Sequence, residues 1–565
     1  MSTAPKSGIE SSASSVFNVD MNEGILVPEA DADVSTVDGE AGSAMGRSSS
    51  PAGDESSKKA LRDQLRKTLS KKESFSDASP RRARRRNRTV DADDLAVELA
   101  NAFPPRQYFV LTDAGKPVFA TGVGDHDSDN LGSIVGVMQA LLSVFLDDGD
   151  KLRCINAGNT RINFLLRTPL YYACVSSWGE PESVTRTHLE YLHLQVLSVV
   201  TVTQLRRIFE RRTNFDLGRL LSGAENLIHA LMDRVEMDLA MNTSSLHCLK
   251  LDPTVRKRAA NALLPTSKMK DLLYIILVAH GYVITLARPR KHSIHPSDLH
   301  ILMNTAHSPS IVNSSASASW LPLCLPKFNS SGFVNTFVTF LQSPEEPQSV
   351  PNAPEAVSSD STSQSEDHAS TQSSPVETET SEQDIPKPLQ PTTTAGVGLI
   401  CVSGNGDFES IRSWSDTVTQ TLTEEGTLTA ILESIRTGTT EYSCSELAIP
   451  GLRHFIYKSR LHVQITAPIF EEPYGDLHER RRLITLYQIL HDNIHAKSGQ
   501  DLPLKLQYIR TEKEGVLGWI TQPFELYVTL SPWIPKTAVV GAANAVARWV
   551  KKEEAHLFLR DAPVF

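Results

Sequence analysis

One order of elements recurs three times along this chain, and the recurrence constrains the fold more than any single motif. The first copy opens with strand-like Gln107–Thr112; Asp113-Ala114-Gly115-Lys116 turns the chain, and Pro117–Ala120 returns it as a hairpin. A helix follows, with Leu131, Ile134, Met138, Leu141 and Phe145 at the spacing of one inward face. Three strand-like runs, Lys151–Asn156, Arg161–Arg167 and Leu170–Ser176, precede a long helix that turns Leu189, Leu192, Val196 and Val199 inward. The second copy reads Asp271–Ala279 and Tyr282–Ala287 as hairpin, His295–Asn304 as short helix and Trp320–Pro326 and Phe333–Leu341 as strands. It continues, after a polar interruption, with strand Val397–Ser403 and a helical stretch Phe408–Ile435. The third reads Arg453–Lys458, Leu461–Ile465, a helix Tyr474–His495, strands Leu504–Arg510, Val516–Thr521 and Phe524–Leu530, and a last helix Thr537–Phe558. A unit of this order lays its helices on the two faces of a five-stranded antiparallel sheet, so the expected class is α+β with three such units.

The remaining sequence cannot build a core. Residues 1–100 are low in apolar content, and from Lys58 they turn basic. There Leu61, Leu65 and Leu69 form one helical stripe among Lys58, Lys59, Arg62, Arg66 and Lys67, followed by Arg81, Arg82, Arg84, Arg85, Arg86 and Arg88. The stretch 343–394 carries ten acids against the single Lys387 and reads as a disordered insertion. The expected layout is therefore a regulatory arm 1–100, a first unit 103–240, a second unit 266–440 containing the insertion, and a third unit 450–565.

Composition removes several function classes. A formal net charge of −10 argues against nucleic acid as a bulk partner. The six cysteines lie far apart, mostly in apolar runs, and read as reduced core residues. The polar N-terminus has no apolar core of a secretory signal, and no run reaches the ~18 apolar residues of a membrane span, so any membrane contact is expected to be peripheral.

Covalent chemistry finds little support. A phosphate loop would need glycine where Val110 stands and Ser or Thr where Pro117 follows Lys116, so Gly115-Lys116 reads as a hairpin turn. Gly122-Val123-Gly124 lacks a third glycine and reads as a loop. His491 and His495, four apart on a helix, have zinc spacing but no third ligand evident in sequence, so a surface or half-buried pair is favoured and no metal is expected. His292, His295 and His300 stand beside Arg288, Arg290 and Lys291 and read as a solvated loop. No cofactor is expected, and a scattered-site hydrolase is the residual enzymatic reading.

The most distinctive stretch is Leu197–Gly223, in which Thr201-Val202-Thr203-Gln204-Leu205-Arg206-Arg207-Ile208-Phe209 leads into Phe215-Asp216-Leu217-Gly218-Arg219. With Gly115-Lys116-Pro117-Val118, Asn156-Ala157-Gly158 before Phe164-Leu165, and the ending Trp549-Val550-Lys551-Lys552-Glu553-Glu554, it resembles the monensin-sensitivity (Mon) family of vacuolar fusion proteins. The resemblance covers most of residues 103–565. It implies three longin (roadblock-like) domains and a heterodimer with the Ccz subunit. It further implies nucleotide exchange on a Rab-seven-class GTPase of late endosomes, with an early-endosomal Rab as a further partner. The chain itself would do no covalent chemistry: exchange proceeds by binding the nucleotide-free GTPase better than the loaded one. The expected place is the cytoplasmic surface of endosome, multivesicular-body and vacuole membranes, in endosome maturation, docking, fusion and autophagy.

Within Leu197–Gly223 the residue-level reading is structural: Thr213 or Asn214 caps a helix whose Leu217, Leu220, Leu221, Leu227 and Leu231 pack inward. The expected Rab or partner contact is a small-residue face of the first helix, Gly132, Gly136, Ala140 and Ser143 with Gln139, where a partner backbone can approach closely. The basic arm, Lys58 to Arg88, is expected to meet anionic lipids or a phosphoinositide. Competing readings are a non-catalytic tether or adaptor, and an exchange subunit for a different Rab.

Overall fold

The computed structural model describes residues 103–122, 128–212, 215–265, 269, 271–314, 317–341, 396–498 and 502–565. The basic arm, the insertion 343–394, Thr213, Asn214 and Val123-Gly124 lie outside the described residues.

The first sheet contains β1 (Gln107–Thr112), β2 (Pro117–Ala120), β3 (Cys154–Ala157), β4 (Thr160–Arg167) and β5 (Leu170–Ser176), in the order β2-β1-β5-β4-β3 and antiparallel throughout. Strand β1 is apolar on both faces because a helix covers each. Phe109 and Leu111 meet α1 (Ser128–Leu146), while Tyr108 and Val110 meet α2 (Glu182–Val199). Short helices α3 (Val202–Arg211), α4 (Leu217–Leu221), α5 (Glu225–Met237) and α6 (Leu239–Asn242) complete the α2 side. The chain then makes β6 (Leu246–His247) and α7 (Pro253–Ala262).

The second sheet has the same order, β8-β7-β11-β10-β9, built from β7 (Leu272–Ala279), β8 (Tyr282–Ala287), β9 (Ala318–Leu323), β10 (Val334–Leu341) and β11 (Val397–Ser403). Helices α8 (Pro296–Ala306), α9 (Pro309–Val312) and α10 (Pro326–Asn329) lie between these strands in sequence. On one face Leu299, Leu302 and Met303 of α8 pack on Tyr274, Ile276 and Ile400. On the other, α11 (Phe408–Glu424) and α12 (Thr427–Arg436) bring Ile411, Val418, Leu422 and Ile431 onto Ile275, Leu277 and Cys401.

The third sheet contains β12 (Leu452–Ser459), β13 (Gln464–Thr466), β14 (Leu506–Arg510), β15 (Gly515–Ile520) and β16 (Phe524–Leu530), between α13 (Leu477–His495) and α14 (Lys536–Lys552), with α15 (Glu554–Leu557) after it. It gains a sixth strand that the repeat does not foresee: β6 runs parallel to β13, pairing Leu246 with Gln464 and His247 with Ile465. The next residue, Cys248, bridges Val283 of the second sheet, and the C-terminal Val564 bridges Arg288. The segment between the first two units thus stitches the last two together.

Several boundaries differ from the sequence reading for local reasons. Phe408–Ile435 is two helices, because Gly426 adopts a left-handed conformation (φ 64°). The last helix breaks at Glu553 into α14 and α15. The ninth strand starts at Ala318 and stops at Leu323, and Pro326 opens α10 instead of ending the strand. Leu461 sits in a turn, so β13 begins only at Gln464. Strand β3 begins at Cys154, not Lys151.

Candidate functional site

Helix α1 buries Val135, Met138, Leu142 and Phe145 against its sheet. Leu131, Ile134 and Leu141, expected inside, are only half-buried on the flank of that face. The apolar stripe is wider than the strip of helix the sheet can cover, and the sheet selects its Val135–Leu142 edge. On the far side Gly132, Gly136 and Ala140 are exposed, one turn apart, beside Val137, which is 59% exposed. A Cβ added at Gly132 or Gly136 would meet nothing within 4 Å. Among the described residues, nothing covers this smooth face.

The two polar members of the expected face are committed within the domain. The Gln139 side-chain amide donates to the Asp113 carbonyl (2.9 Å), tying α1 to the β1–β2 turn. Gly115 there has φ +79°, and a Cβ would lie 2.9 Å from Gln139 Cγ, so glycine serves both the turn and the close approach. Ser143 donates its hydroxyl to the Gln139 carbonyl (2.8 Å) and is half-buried. Gln139 and Ser143 thus brace the helix, and the open stripe reduces to Gly132, Gly136 and Ala140. Lys116, the lysine of the turn, lies 3.7 Å from Asp216.

The described part of the family-like stretch Leu197–Gly223 holds the end of α2 and the short helices α3 and α4. Helix α3 begins with a capping box between Thr201 and Gln204 and buries Leu205 and Phe209, leaving Arg206, Arg207, Arg211 and Arg212 exposed. Asp216, not Asn214, precedes α4, and its side chain makes no cap hydrogen bond there. Gly223 (φ +94°) separates α4 from α5, so the expected single helix is two. Leu217, Leu221 and Leu231 are buried as expected, whereas Leu220 is 44% exposed and Leu227 half-buried. This stretch also joins units: Val202 N–H donates to Ser330 and Cys324 N–H to Ser198, each at 3.0 Å.

A buried polar cluster escaped the sequence reading, because its members are spread from residue 106 to 236. Arg106 donates to Glu180 (2.9 Å), lies 3.6 Å from Glu236 and stacks its guanidinium 3.5 Å from the Trp178 ring centroid. Tyr108 donates to Glu236 (3.3 Å) and shares a 2.9 Å hydrogen bond with His188 Nδ1. Burial raises the Glu236 carboxyl against the opposing pull of Arg106 and Arg481, and burial together with Arg106 holds His188 neutral. Arg481 of α13 lies 5.1 Å from the same Trp178 ring and donates to the Phe103 carbonyl (3.3 Å), so the cluster seats the third unit on the first.

The fold supplies a third group to the histidine pair that the sequence did not reveal. Glu525 of β16 lies under α13, and potential ligand atoms of His491, His495 and Glu525 all fall within 4.8 Å of one another. Lys458 stands 3.3 Å and Arg460 3.9 Å from the same carboxylate, and His495 Nε2 is 3.1 Å away. Burial alone would raise the Glu525 carboxyl; Lys458 and His495 overcome it and hold it well below the usual carboxylate range. Lys458 and Arg460 already neutralise the charge that a divalent ion would need, so Glu525 reads as the buried anion of an ion-pair network with His495 hydrogen-bonded to it. The other three histidines are not a solvated loop. His295 caps α8, accepting from Ser297 N–H (3.1 Å), and His292 packs on Phe328. His300 is buried with Nε2 2.8 Å from the Ser245 carbonyl. All six cysteines are free, five of them buried and Cys154 half-buried. Among the described residues, no helix is long and apolar enough to cross a membrane.

Comparisons with known proteins follow the three-unit architecture. The first, second and third longin domains of FUZ, MON1 and HPS1 match residues 106–231, 270–364 and 451–554 respectively. Vacuolar fusion protein MON1 of Cryptococcus neoformans var. neoformans serotype D (strain B-3501A) is 44% identical over 528 residues, covering 92% of this chain and 76% of the relative. The protein of that name from strain JEC21 is 47% identical over 466 residues, covering 82% of this chain and 66% of the relative. Vacuolar fusion protein MON1 homolog A of Gallus gallus is 32% identical over 454 residues, covering 80% and 72%.

Proposed function

This chain belongs to the MON1 family of vacuolar fusion proteins, and on that footing we propose that it is one subunit of a nucleotide exchange factor for a Rab GTPase. Its partner is a second three-longin chain of the Ccz type, and its substrate is a Rab-seven-class GTPase at the late-endosomal and vacuolar surface. The observation that supports this reading best is the uncovered face of α1, where Gly132, Gly136 and Ala140 leave room for another backbone to lie close. The described part of that face is one helix wide, while a specific interface buries ~1,200–2,000 Å² in total. The site is therefore completed by the partner, and the chain alone is a poor exchange factor. Exchange needs no acid, base or nucleophile from this chain. It needs a surface that fits the nucleotide-free GTPase better than the loaded one, and the difference lowers the barrier to release. Magnesium and nucleotide belong to the GTPase.

Release of a fluorescent guanine nucleotide from a small Rab panel tests the proposal, using this chain alone, the Ccz-type partner alone and the purified complex. Acceleration of Rab-seven-class release by the complex and not by either subunit is expected. Acceleration of a different Rab would move the assignment within the exchange class. Acceleration of none would favour a tether or adaptor.

A further inference from the structure

At one end of the third sheet a groove of about 600 Å³ opens between the strand ends and the flank of α14 from Gly541 to Lys551. Its floor is aromatic. Tyr457 and Phe524 stack with ring centroids 5.1 Å apart, and Trp519 meets Phe524 edge-on at 5.2 Å. All three rings are half-buried, and Leu461, in the turn beside them, is 48% exposed. The strands cause this exposure: β12, β15 and β16 run past the strip that α14 covers with Val539, Ala543, Val546 and Val550. The flank of α14 facing the groove is open at Gly541, where an added Cβ would meet nothing within 4 Å.

The charged lining is net cationic, Arg548 and Lys551 against Glu554. Arg548 and Lys551, one turn apart on α14, are both exposed and, among the described residues, form no ion pair. The lining's carboxylate, Glu554, is 3.6 Å from His462. Between rim and floor the polar side chains are Ser459 and Asn544. They are too few to satisfy the amides of a buried peptide backbone, each of which costs free energy if left unpaired. An apolar floor under a cationic rim, in a cavity within the ~300–1,000 Å³ range of small-molecule sites, fits a molecule with an apolar body and an anionic head.

We propose that this groove binds a single-chain anionic amphiphile, a long-chain fatty acid. Its chain lies on Tyr457, Trp519, Phe524 and Leu461, and its head group meets Arg548 and Lys551. The site is remote in sequence from α1 and does not depend on the exchange reading.

Titration of the full chain with the fluorescent fatty acid cis-parinarate, followed by displacement with oleate, tests it. Saturable binding displaced by oleate is expected, with oleyl alcohol weaker by roughly tenfold for want of the charge-assisted contact. The double variant Arg548→Glu/Lys551→Glu should lose a similar factor. Gly541→Phe should abolish binding by filling the groove, and its unchanged thermal unfolding would show that the fold is intact. Non-saturable uptake, equal binding of oleyl alcohol, or unchanged binding by Gly541→Phe would overturn the proposal. So would displacement of the probe by an acidic peptide and not by oleate. Should Gly541→Phe unfold, the charge-reversed pair decides alone, and its retention of full oleate affinity would overturn the site.

Discussion

Replacing Gly136 by leucine separates the fold of α1 from its use. In the free chain the new side chain enters open space, since even its Cβ would meet nothing within 4 Å. Helix propensity favours the change: glycine costs about 1 kcal/mol relative to alanine in a helix interior and leucine far less, a gain of about 0.8 kcal/mol. Circular dichroism and thermal unfolding of the isolated variant should therefore match or slightly exceed wild type. In the complex the same side chain holds apart surfaces that meet at a glycine. Overpacking of a close-packed contact costs about 1–3 kcal/mol, which converts to roughly a 5- to 150-fold loss of affinity. Nucleotide release by the purified complex and capture of the Ccz-type partner report the loss, and together they tell which of the two bindings uses the face. Gly132→Leu, one turn away with the same open surroundings, should behave in the same direction. Full exchange and full partner binding by both variants would show that this face stays in solvent. Unfolding of either would show that the packing of α1 described above is wrong.

Other perturbations reach the buried clusters and the outlying segments. Arg106→Met should lower the urea midpoint by an amount equivalent to about 3–5 kcal/mol, because it leaves Glu180 buried without its cation and removes one of the two arginines acting on Glu236; a shift indistinguishable from zero would mean that the cluster is solvated. Stability should fall as pH drops from 6.5 towards 4. Burial lowers His193 and His300 to about 4 and His454 to about 3 from 6.5, so the unfolded chain takes up protons first and the stability present above 6.5 is lost on acidification. Asp298, raised by burial to about 6, and Glu236, also raised by burial, act in the opposite sense but are outnumbered by the three histidines, and a flat unfolding midpoint across this window would refute the balance. Replacing 343–394 by a short turn should preserve the fold and exchange, because Leu341 and Val397, on either side of that stretch, already pair across antiparallel strands; an insoluble product would make the segment structural. Changing Arg81, Arg82, Arg84, Arg85, Arg86 and Arg88 to alanine should weaken flotation of the complex with anionic liposomes, at about 1 kcal/mol per basic residue near the surface; binding insensitive to both the change and high salt would remove the arm from membrane recruitment.

Which elements exist, and in what order, was written locally. Strand Phe524–Leu530 and strand Val397–Ser403 have the expected bounds, because apolar runs between turn residues need only near neighbours to be recognised. The small-residue stripe of α1 was also legible, since Gly132, Gly136 and Ala140 share a face by helical geometry alone. Tertiary structure decided everything that depends on distant partners. It chose Val135 and Leu142 over Leu131 and Leu141 as the buried edge of α1, because only the position of the sheet defines which part of a wide apolar stripe is covered. It turned two residues, Leu246 and His247, into a sixth strand, because a parallel pair so short has no signature apart from the edge it joins. It gathered Arg106, Glu180 and Glu236, and laid His491 and His495 over Glu525, from positions that no periodicity connects. Hydrophobic spacing records which side of an element turns inward; the identity of the charge waiting there is set by a different element, folded back from far along the chain.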